Sequence, residues 1–156
     1  MKVAIDIGSS GYVSNSTLGI SSKEMNQRLV ELLRVALDTC EVVVLEPSNE
    51  TQLVELITAI KPSKCISIGY SSCNGCSGGT ETFSPTTAGG SVFAHKVHEA
   101  VVSVLDLRDR GVTQTETKFK IPYAKVHLGH LDNDVDALVV EGSLPELAKA
   151  IADVLL

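Results

Sequence analysis

Short apolar runs alternate along this chain with longer amphipathic segments, and this alternation restricts the possible folds most strongly. The runs at 2–6, 41–45 and 64–69 are compact and rich in β-branched residues, as buried strands are. Segments 22–39 and 50–60 repeat apolar residues every three or four positions, which is typical of helices. Strands that alternate with helices form a mostly parallel sheet with helices on both faces. We therefore predict a single three-layer α/β domain over residues 1–156, with a central sheet of about six strands.

The second half of the chain is expected to complete this sheet. Pro122 has no N–H for a strand ladder, so the run around it is assigned to an edge strand. Ser143, with Pro145 two residues later, is typical of a capped helix start. In chain order we predict a loop at 70–79, a strand at 80–83, a helix at 88–105, a turn at 109–112, an edge strand at 119–123, a polar loop at 127–136, a buried strand at 137–140 and a last helix to 155.

Composition and charge exclude several classes of protein. The 156 residues carry a formal net charge of −6, whereas a nucleic-acid-binding domain normally presents a basic face, so no nucleic-acid partner is expected. No apolar run approaches the ~20 residues of a membrane span. The run Met1–Asp6 enters a strand without the features of a signal peptide, so the chain is expected to be cytoplasmic as synthesised. Four cysteines do not form a disulfide scaffold in a chain of this size.

In an open, mostly parallel sheet, ligands bind at the carboxyl ends of the strands. In this sequence the unusual residues collect at four such ends, so we expect one site there. The four ends are Gly8–Gly11, Glu46–Asn49, Gly69–Gly79 and Glu141–Ser143.

Four segments, read in order, carry a resemblance to one known family. They are Asp6–Gly11 after the first strand, Lys23–Asn26 at the start of the first helix, Ser67–Ser72 running into Gly78–Phe83, and the pair Arg110–Val112 and Leu138–Glu141. Together they resemble the zinc-dependent N-acetylmuramoyl-L-alanine amidases, the cell-wall hydrolases of autolysins and phage endolysins. The resemblance spans the whole chain.

The resemblance implies a zinc ion held by two histidines and a glutamate, with a second glutamate as general base. Such a site leaves one coordination position for water, whose pKa the metal lowers. Transferred to this chain, the ligand glutamate falls on Glu24 and the base on Glu141, while Ser9 and Gly69 occupy the histidine positions. Neither of these two is expected to bind zinc.

The missing histidines predict a degenerate, non-catalytic member of the family with a binding or structural role related to peptidoglycan. No cofactor is expected, except zinc if the site is rebuilt from other residues. The expected partner is a peptidoglycan fragment or another protein, and delivery to the cell wall would depend on other factors. Tyr70 is the candidate groove contact, because sugars stack on aromatic rings; a partly exposed loop tyrosine is the alternative.

Structural explanations compete with these site residues. Glu24 lies three residues after Ser21 and is also explained as part of a capping box, and Glu141 precedes a helix N-terminus, where a carboxylate is favoured. Other soft ligands are present, but we interpret them as ordinary loop and helix residues and not as a metal site. They are Cys73 and Cys76 with His95 and His98, and His127 and His130 with Asp132, Asp134 and Asp136.

Two further functions stay open. One is an active amidase that hydrolyses the muramoyl-L-alanine amide bond with a rearranged zinc site. The other is a phosphate- or nucleotide-binding α/β domain, because Ala4–Gly11 is similar to the first phosphate loop of the actin and sugar-kinase superfamily. A chain of 156 residues is too short for the two domains of that superfamily.

Overall fold

A computed structural model describes residues 1–116 and 119–156. Its strands and helices alternate from the first residues, as the sequence predicts. The strands are β1 (Lys2–Asp6), β2 (Ser14–Asn15), β3 (Ile20–Ser21), β4 (Glu41–Leu45), β5 (Lys64–Ser71), β6 (Thr80–Pro85), β7 (Asp109–Thr115) and β8 (Tyr123–His130). The helices are α1 (Ser22–Ala36), α2 (Glu50–Ile60), α3 (Ala88–Val104), α4 (Asp134–Gly142) and α5 (Leu144–Leu155).

Six strands form the central sheet in the order β4-β1-β5-β8-β6-β7. All neighbouring pairs are parallel except β6 and β8, so β6 and β7 run opposite to the other four strands. The small strands β2 and β3 form a separate antiparallel hairpin between β1 and α1, which the sequence did not reveal. The sheet confirms the predicted α/β fold class.

Helices cover both faces of the sheet. Helix α5 packs against both α1 and α3 on one face, over a core that includes Ile5, Ile66 and Val126. Helix α2 covers the other face with Leu53 and Ile57. Because β1 and β5 lie between the two cores, their residues are buried on both sides, which explains their continuous apolar sequences.

The second half of the chain departs from several predicted boundaries. Residues 137–140 were predicted as a strand, but they lie in α4, whose Ala137 and Val140 share one buried helical face. A four-residue apolar run does not distinguish the two structures. The predicted turn at 109–112 is the start of β7, an edge strand with an exposed, polar sequence.

The strand next to β5 was also assigned wrongly. Predicted as an edge strand at 119–123 followed by a polar loop, it is the interior strand β8, and Pro122 lies just before it. β5 extends two residues beyond the predicted 64–69, and β6 two beyond 80–83. Ser143 precedes α5 but makes no side-chain cap; its hydroxyl donates to Val139 O at 2.7 Å. No helix among the described residues has the length and apolarity that a membrane crossing requires.

Candidate functional site

One edge of the sheet gathers the carboxyl ends of β4, β1, β5 and β8. Because β6 and β7 run the other way, they begin at this same edge. The loop after β1, the loop 72–79 after β5 and the start of β6 therefore all lie at this edge. This is the edge at which the sequence places a site.

A buried carboxylate organises the loop after β1. Asp6 is 1% exposed, and its Oδ1 accepts hydrogen bonds from the backbone N–H groups of Gly8 and Ser9, both at 2.9 Å. Its Oδ2 accepts the hydroxyls of Ser9 and, at 2.5 Å, Ser67. The Tyr123 hydroxyl in turn donates to Ser67 Oγ at 2.9 Å. Ser9 is therefore held by Asp6 through both its amide and its hydroxyl.

The same bonds bear on the phosphate-loop alternative. A phosphate cradle needs free backbone N–H groups that converge on the anion. In this loop the amides of Gly8 and Ser9 point at Asp6, and the Gly11 amide donates to Gly8 O at 3.0 Å. These three amides are therefore bonded within the chain and are not free to cradle a phosphate.

Ser10 fills the space beside Gly69 on β5. A Cβ at position 69 would lie 2.6 Å from Ser10 Cβ and 2.7 Å from Ser10 Oγ, far inside van der Waals contact. Because the Ser10 Cβ is itself too close, rotating the Ser10 hydroxyl away would not remove the overlap with a Cβ at position 69. Two residues separated by 59 positions are thus matched in size, and no side chain fits at position 69 as the loop stands.

A serine–histidine pair lies at the end of the two central strands. Ser71 Oγ and His127 Nδ1 are 2.9 Å apart, and the Phe83 ring packs edge-on against the imidazole with ring centroids 5.3 Å apart. Burial, followed by the charges of Lys125 and His130, lowers the pKa of His127 to about 4. The imidazole is therefore neutral near pH 7. Its buried Nε2 has no hydrogen-bond partner among the described residues.

Sequence reasoning missed Ser10, Ser71 and His127 as a group. His127 was considered only as a metal ligand in a polar loop, because β8 was not recognised as a strand. With β8 next to β5, the register places Gly69 opposite His127. The pairing of the two central strands β5 and β8 brings these residues together. Their local spacing in the sequence does not indicate it.

Glu24 lies exposed on α1, at the start of the helix. Its backbone N–H donates to the Ser21 hydroxyl at 3.2 Å, which caps the start of the helix but does not involve the Glu24 carboxylate. No hydrogen bond or ion pair between described residues joins its carboxylate to Ser9 or Glu141. Its assignment as a ligand stays a prediction.

Glu141 lies on α4, not at the end of a strand as predicted. Its Oε2 is 3.6 Å from Arg28 Nη1, and this partly exposed ion pair connects α4 to α1. Its assignment as a base also stays a prediction. Tyr70 is 4% exposed within β5 and not in a loop, and burial raises the pKa of its hydroxyl. A sugar would reach this ring only after a rearrangement of the strand, so the groove contact remains a prediction.

The resemblance implies a zinc centre, and the residues at this edge do not fit one. Ser9 is bound to Asp6, Gly69 has no side chain, and Ser10 fills the space beside it. Across residues 1–116 and 119–156, no three His, Cys, Asp or Glu side chains come together in a way that could hold a metal ion.

The other candidate ligands lie apart. Cys73 and Cys76 are exposed, free thiols in the loop after β5. On α3, His95 is bonded to Ser91 O at 2.8 Å, and His98 to Thr82 and Asp109. His130 is buried at the end of β8.

The six-stranded sheet, its helices on both faces and the loops at one edge define a three-layer α/β domain. A family model for N-acetylmuramoyl-L-alanine amidases matches residues 3–156. The chain belongs to this family. No curated protein matches it in sequence.

Solved amidase structures share the fold over nearly the whole chain. The catalytic domain of CwlV, an N-acetylmuramoyl-L-alanine amidase from Bacillus (Paenibacillus) polymyxa var. colistinus, is 24% identical, with a TM-score of 0.82 over 99% of this chain and 95% of that one. An N-acetylmuramoyl-L-alanine amidase from Clostridium difficile 630 is 20% identical, with a TM-score of 0.84 over 99% and 94%. The CwlD amidase from Clostridioides difficile, solved with the GerS lipoprotein, is 19% identical, with a TM-score of 0.81 over 99% and 95%.

Proposed function

We propose that this chain is a non-catalytic member of the amidase family that binds a peptidoglycan fragment at the carboxyl edge of its sheet. One observation carries the proposal: the Ser10 side chain occupies the space of any side chain at position 69. The resemblance assigns a histidine ligand to that position. The replacement is therefore matched by a neighbouring residue, which is expected of a site adapted to work without its metal.

The rest of the edge supports the same conclusion. Ser9, at the other histidine position, donates to a buried carboxylate that four hydrogen-bond donors satisfy. A histidine at position 9 would remove one of these donors from Asp6, and an incompletely satisfied buried carboxylate is costly. Serine at position 9 therefore fits the hydrogen bonds of this loop.

Binding to a protein is the second candidate. The CwlD amidase of Clostridioides difficile was solved in complex with the GerS lipoprotein, so a related fold assembles with another protein. In this chain α4 presents Val135 and Leu138, which are 66% and 53% exposed. Exposed apolar residues three positions apart on a helix are suited to a protein contact.

Two assays on the purified chain test the proposal. The first incubates it with soluble muropeptides, with and without added zinc, and follows release of the peptide from the muramoyl group. The CwlV catalytic domain is the positive control. The second measures cosedimentation with purified peptidoglycan sacculi.

We expect cosedimentation without peptide release. Release that requires zinc would overturn the non-catalytic assignment and establish an active amidase with a rearranged site. If neither peptide release nor cosedimentation is observed, peptidoglycan binding is overturned. Binding to a protein partner then remains as the candidate function.

A further inference from the structure

A cleft opens at the same edge of the sheet, between the loop after β5 and the start of β7. Its volume is about 410 Å³. The lining combines two arginines with small and amide-bearing residues. They include Asn74, Ser77, Gly78, Arg108, Arg110 and Asn133.

The cleft concentrates positive charge in an acidic protein. Arg108 and Arg110 are both exposed, while the chain as a whole carries −6. Neither arginine takes part in an ion pair between described residues. Among the described residues, the Arg110 guanidinium donates one hydrogen bond, from Nη1 to Gly78 O at 3.3 Å. Most of the guanidinium donors therefore remain free for a ligand.

Gly79 allows the Arg110 side chain to pack against the backbone of the loop. Its φ is +115°, and a Cβ there would lie 2.5 Å from Arg108 O and 2.8 Å from Arg110 Cγ. The arginine stem therefore lies directly against the glycine backbone. Only glycine allows this close approach.

The opposite wall is held in place by hydrogen bonds. Asn133 Nδ2 donates to Ser77 O at 3.2 Å, and its Oδ1 caps α4. Asn74 Oδ1 accepts the amides of Cys76 at 3.0 Å and Ser77 at 2.9 Å, which fixes the turn of the loop. The cleft is thus formed before any ligand binds, and less ordering cost opposes binding.

The cleft has one carboxylate in its lining, that of Asp136. Asp136 is 4% exposed, and its Oδ2 accepts the amides of Gly79 and His130, both at 2.9 Å. These two amides compensate its charge and anchor the loop to α4. The two guanidinium groups therefore dominate the charge that faces solvent.

We propose that this cleft binds a free carboxylate of the peptide part of a peptidoglycan fragment. The choice of peptide rests on the proposed function; the oxyanion chemistry rests on the cleft itself. Guanidinium groups donate paired hydrogen bonds to a carboxylate, and these bonds are shorter and stronger than neutral ones. Phosphate shares this chemistry, so the test includes it.

Isothermal titration calorimetry measures the binding of three probes to the full chain. They are a muropeptide with free peptide carboxylates, the same muropeptide with its carboxylates converted to carboxamides, and inorganic phosphate. The variants are Arg108→Gln and Arg110→Gln. Arg34→Gln, which removes an exposed arginine from α1, is the matched control. Circular dichroism spectra and thermal unfolding confirm that each variant is folded.

We expect the free carboxylate form to bind at least about tenfold more tightly than the carboxamide form, since a hydrogen bond to a charged group is stronger than one to a neutral group. Arg108→Gln and Arg110→Gln should each weaken binding of the carboxylate form by a similar factor, and Arg34→Gln should not. Tighter binding of phosphate than of the muropeptide would overturn the choice of a peptide carboxylate and indicate a phosphorylated ligand.

Two results would overturn the inference, and they are distinguishable. Equal binding of both muropeptide forms, unaffected by the arginine variants, would place the peptidoglycan elsewhere on the chain and leave the proposed function intact. No binding of either form, together with no cosedimentation with sacculi, would overturn both proposals.

Discussion

Gly69 and Ser10 share one small space at the carboxyl edge of the sheet. Because Ser10 Cβ lies 2.6 Å from the place of a Cβ on Gly69, either residue limits the other. Overpacking of a closed site of this kind typically costs about 1–3 kcal/mol.

We predict that Gly69→Ala destabilises the chain by about 1–3 kcal/mol and that adding Ser10→Gly recovers most of this loss. The second substitution removes the atoms that the new methyl group meets. Urea denaturation of the two single variants and the double variant measures the coupling. Gly89→Ala is the control, because a Cβ at position 89 meets nothing within 4 Å. Additive effects of the two substitutions would show that the residues do not share the space.

His127 makes stability depend on pH. Its pKa is about 4 in the folded chain, against 6.5 for an unperturbed histidine. Between these values the unfolded chain binds the proton more readily. The free energy of unfolding therefore falls as the pH drops from about 6.5 to about 4. Above pH 7 both states are neutral at this residue, and it contributes no slope.

We predict that His127→Asn removes about 2–3 kcal/mol of the loss of stability between pH 7 and pH 4. Asparagine keeps a polar group beside Ser71 but does not titrate. Urea denaturation at a series of pH values gives the slope, and NMR titration of the imidazole gives its pKa directly. His95→Asn changes an exposed histidine and serves for comparison. The same slope in wild type and His127→Asn would contradict the assignment.

At the scale of residues, the sequence predicted that Ser9 and Gly69 occupy the positions of the family's histidine ligands. It did not identify the residues that accommodate them. Ser10 is next to Ser9 in the chain, but its contact with Gly69 depends on how the loop after β1 folds over β5. Such a contact between distant segments has no local signature.

Among the elements, a buried histidine joins α3 to β6 and β7. His98 Nδ1 lies 2.8 Å from Thr82 Oγ1, and its Nε2 lies 2.7 Å from Asp109 Oδ1. The hydrogen bond from His98 is the main reason why the pKa of Asp109 is lowered. The contribution of Asp109 to stability is therefore present above its unfolded pKa and is lost as the pH falls through its folded pKa.

We predict that His98→Phe costs about 1–3 kcal/mol, because the fully buried Thr82 hydroxyl loses its partner. Adding Thr82→Val removes that unsatisfied group and should recover part of the loss. Asp109→Asn keeps a neutral hydrogen bond and should cost less than His98→Phe. Chemical denaturation at pH 7 measures the free energy of unfolding of the wild type, His98→Phe, the double variant and Asp109→Asn. No recovery in the double variant would show that the Thr82 contact does not carry the effect.

The elements also show why sequence reasoning succeeds in the first half of the chain and fails in the second. β1, β4 and α2 have clear periods and caps, and their predicted bounds agree with the structure to within a residue. β7 is an exposed edge strand, so its polar sequence lacks the apolar signal of a buried strand. Residues 137–140 form an apolar run that suits a strand or a helix, and the Asn133 cap decides for the helix.

Across the whole molecule, the fold tolerates extensive sequence change. Solved amidases 24% and 20% identical to this chain superpose with TM-scores of 0.82 and 0.84. The alternation of strands and helices, and not a set of site residues, is what the sequence shares most visibly with this fold. A domain with two buried cores can therefore keep its architecture while the loops at one edge acquire another role.

We predict that zinc leaves the stability of the intact chain unchanged. A ligand that binds only the folded state at 100 times its dissociation constant stabilises that state by about 2.7 kcal/mol. For a chain of this size, such a gain raises the melting temperature by roughly 5–10 °C. Because no three candidate ligands come together among residues 1–116 and 119–156, we expect the melting temperature to be the same with EDTA and with excess zinc.

Differential scanning calorimetry after dialysis against each solution makes this comparison, with elemental analysis of the dialysed protein for zinc content. Magnesium at the same concentration controls for effects of ionic strength. A rise in melting temperature that saturates at one zinc per chain would contradict the prediction and show a rebuilt centre. In that event the variants Cys73→Ser, Cys76→Ser and His127→Asn would locate it, because a true ligand variant loses both the bound zinc and the gain in stability.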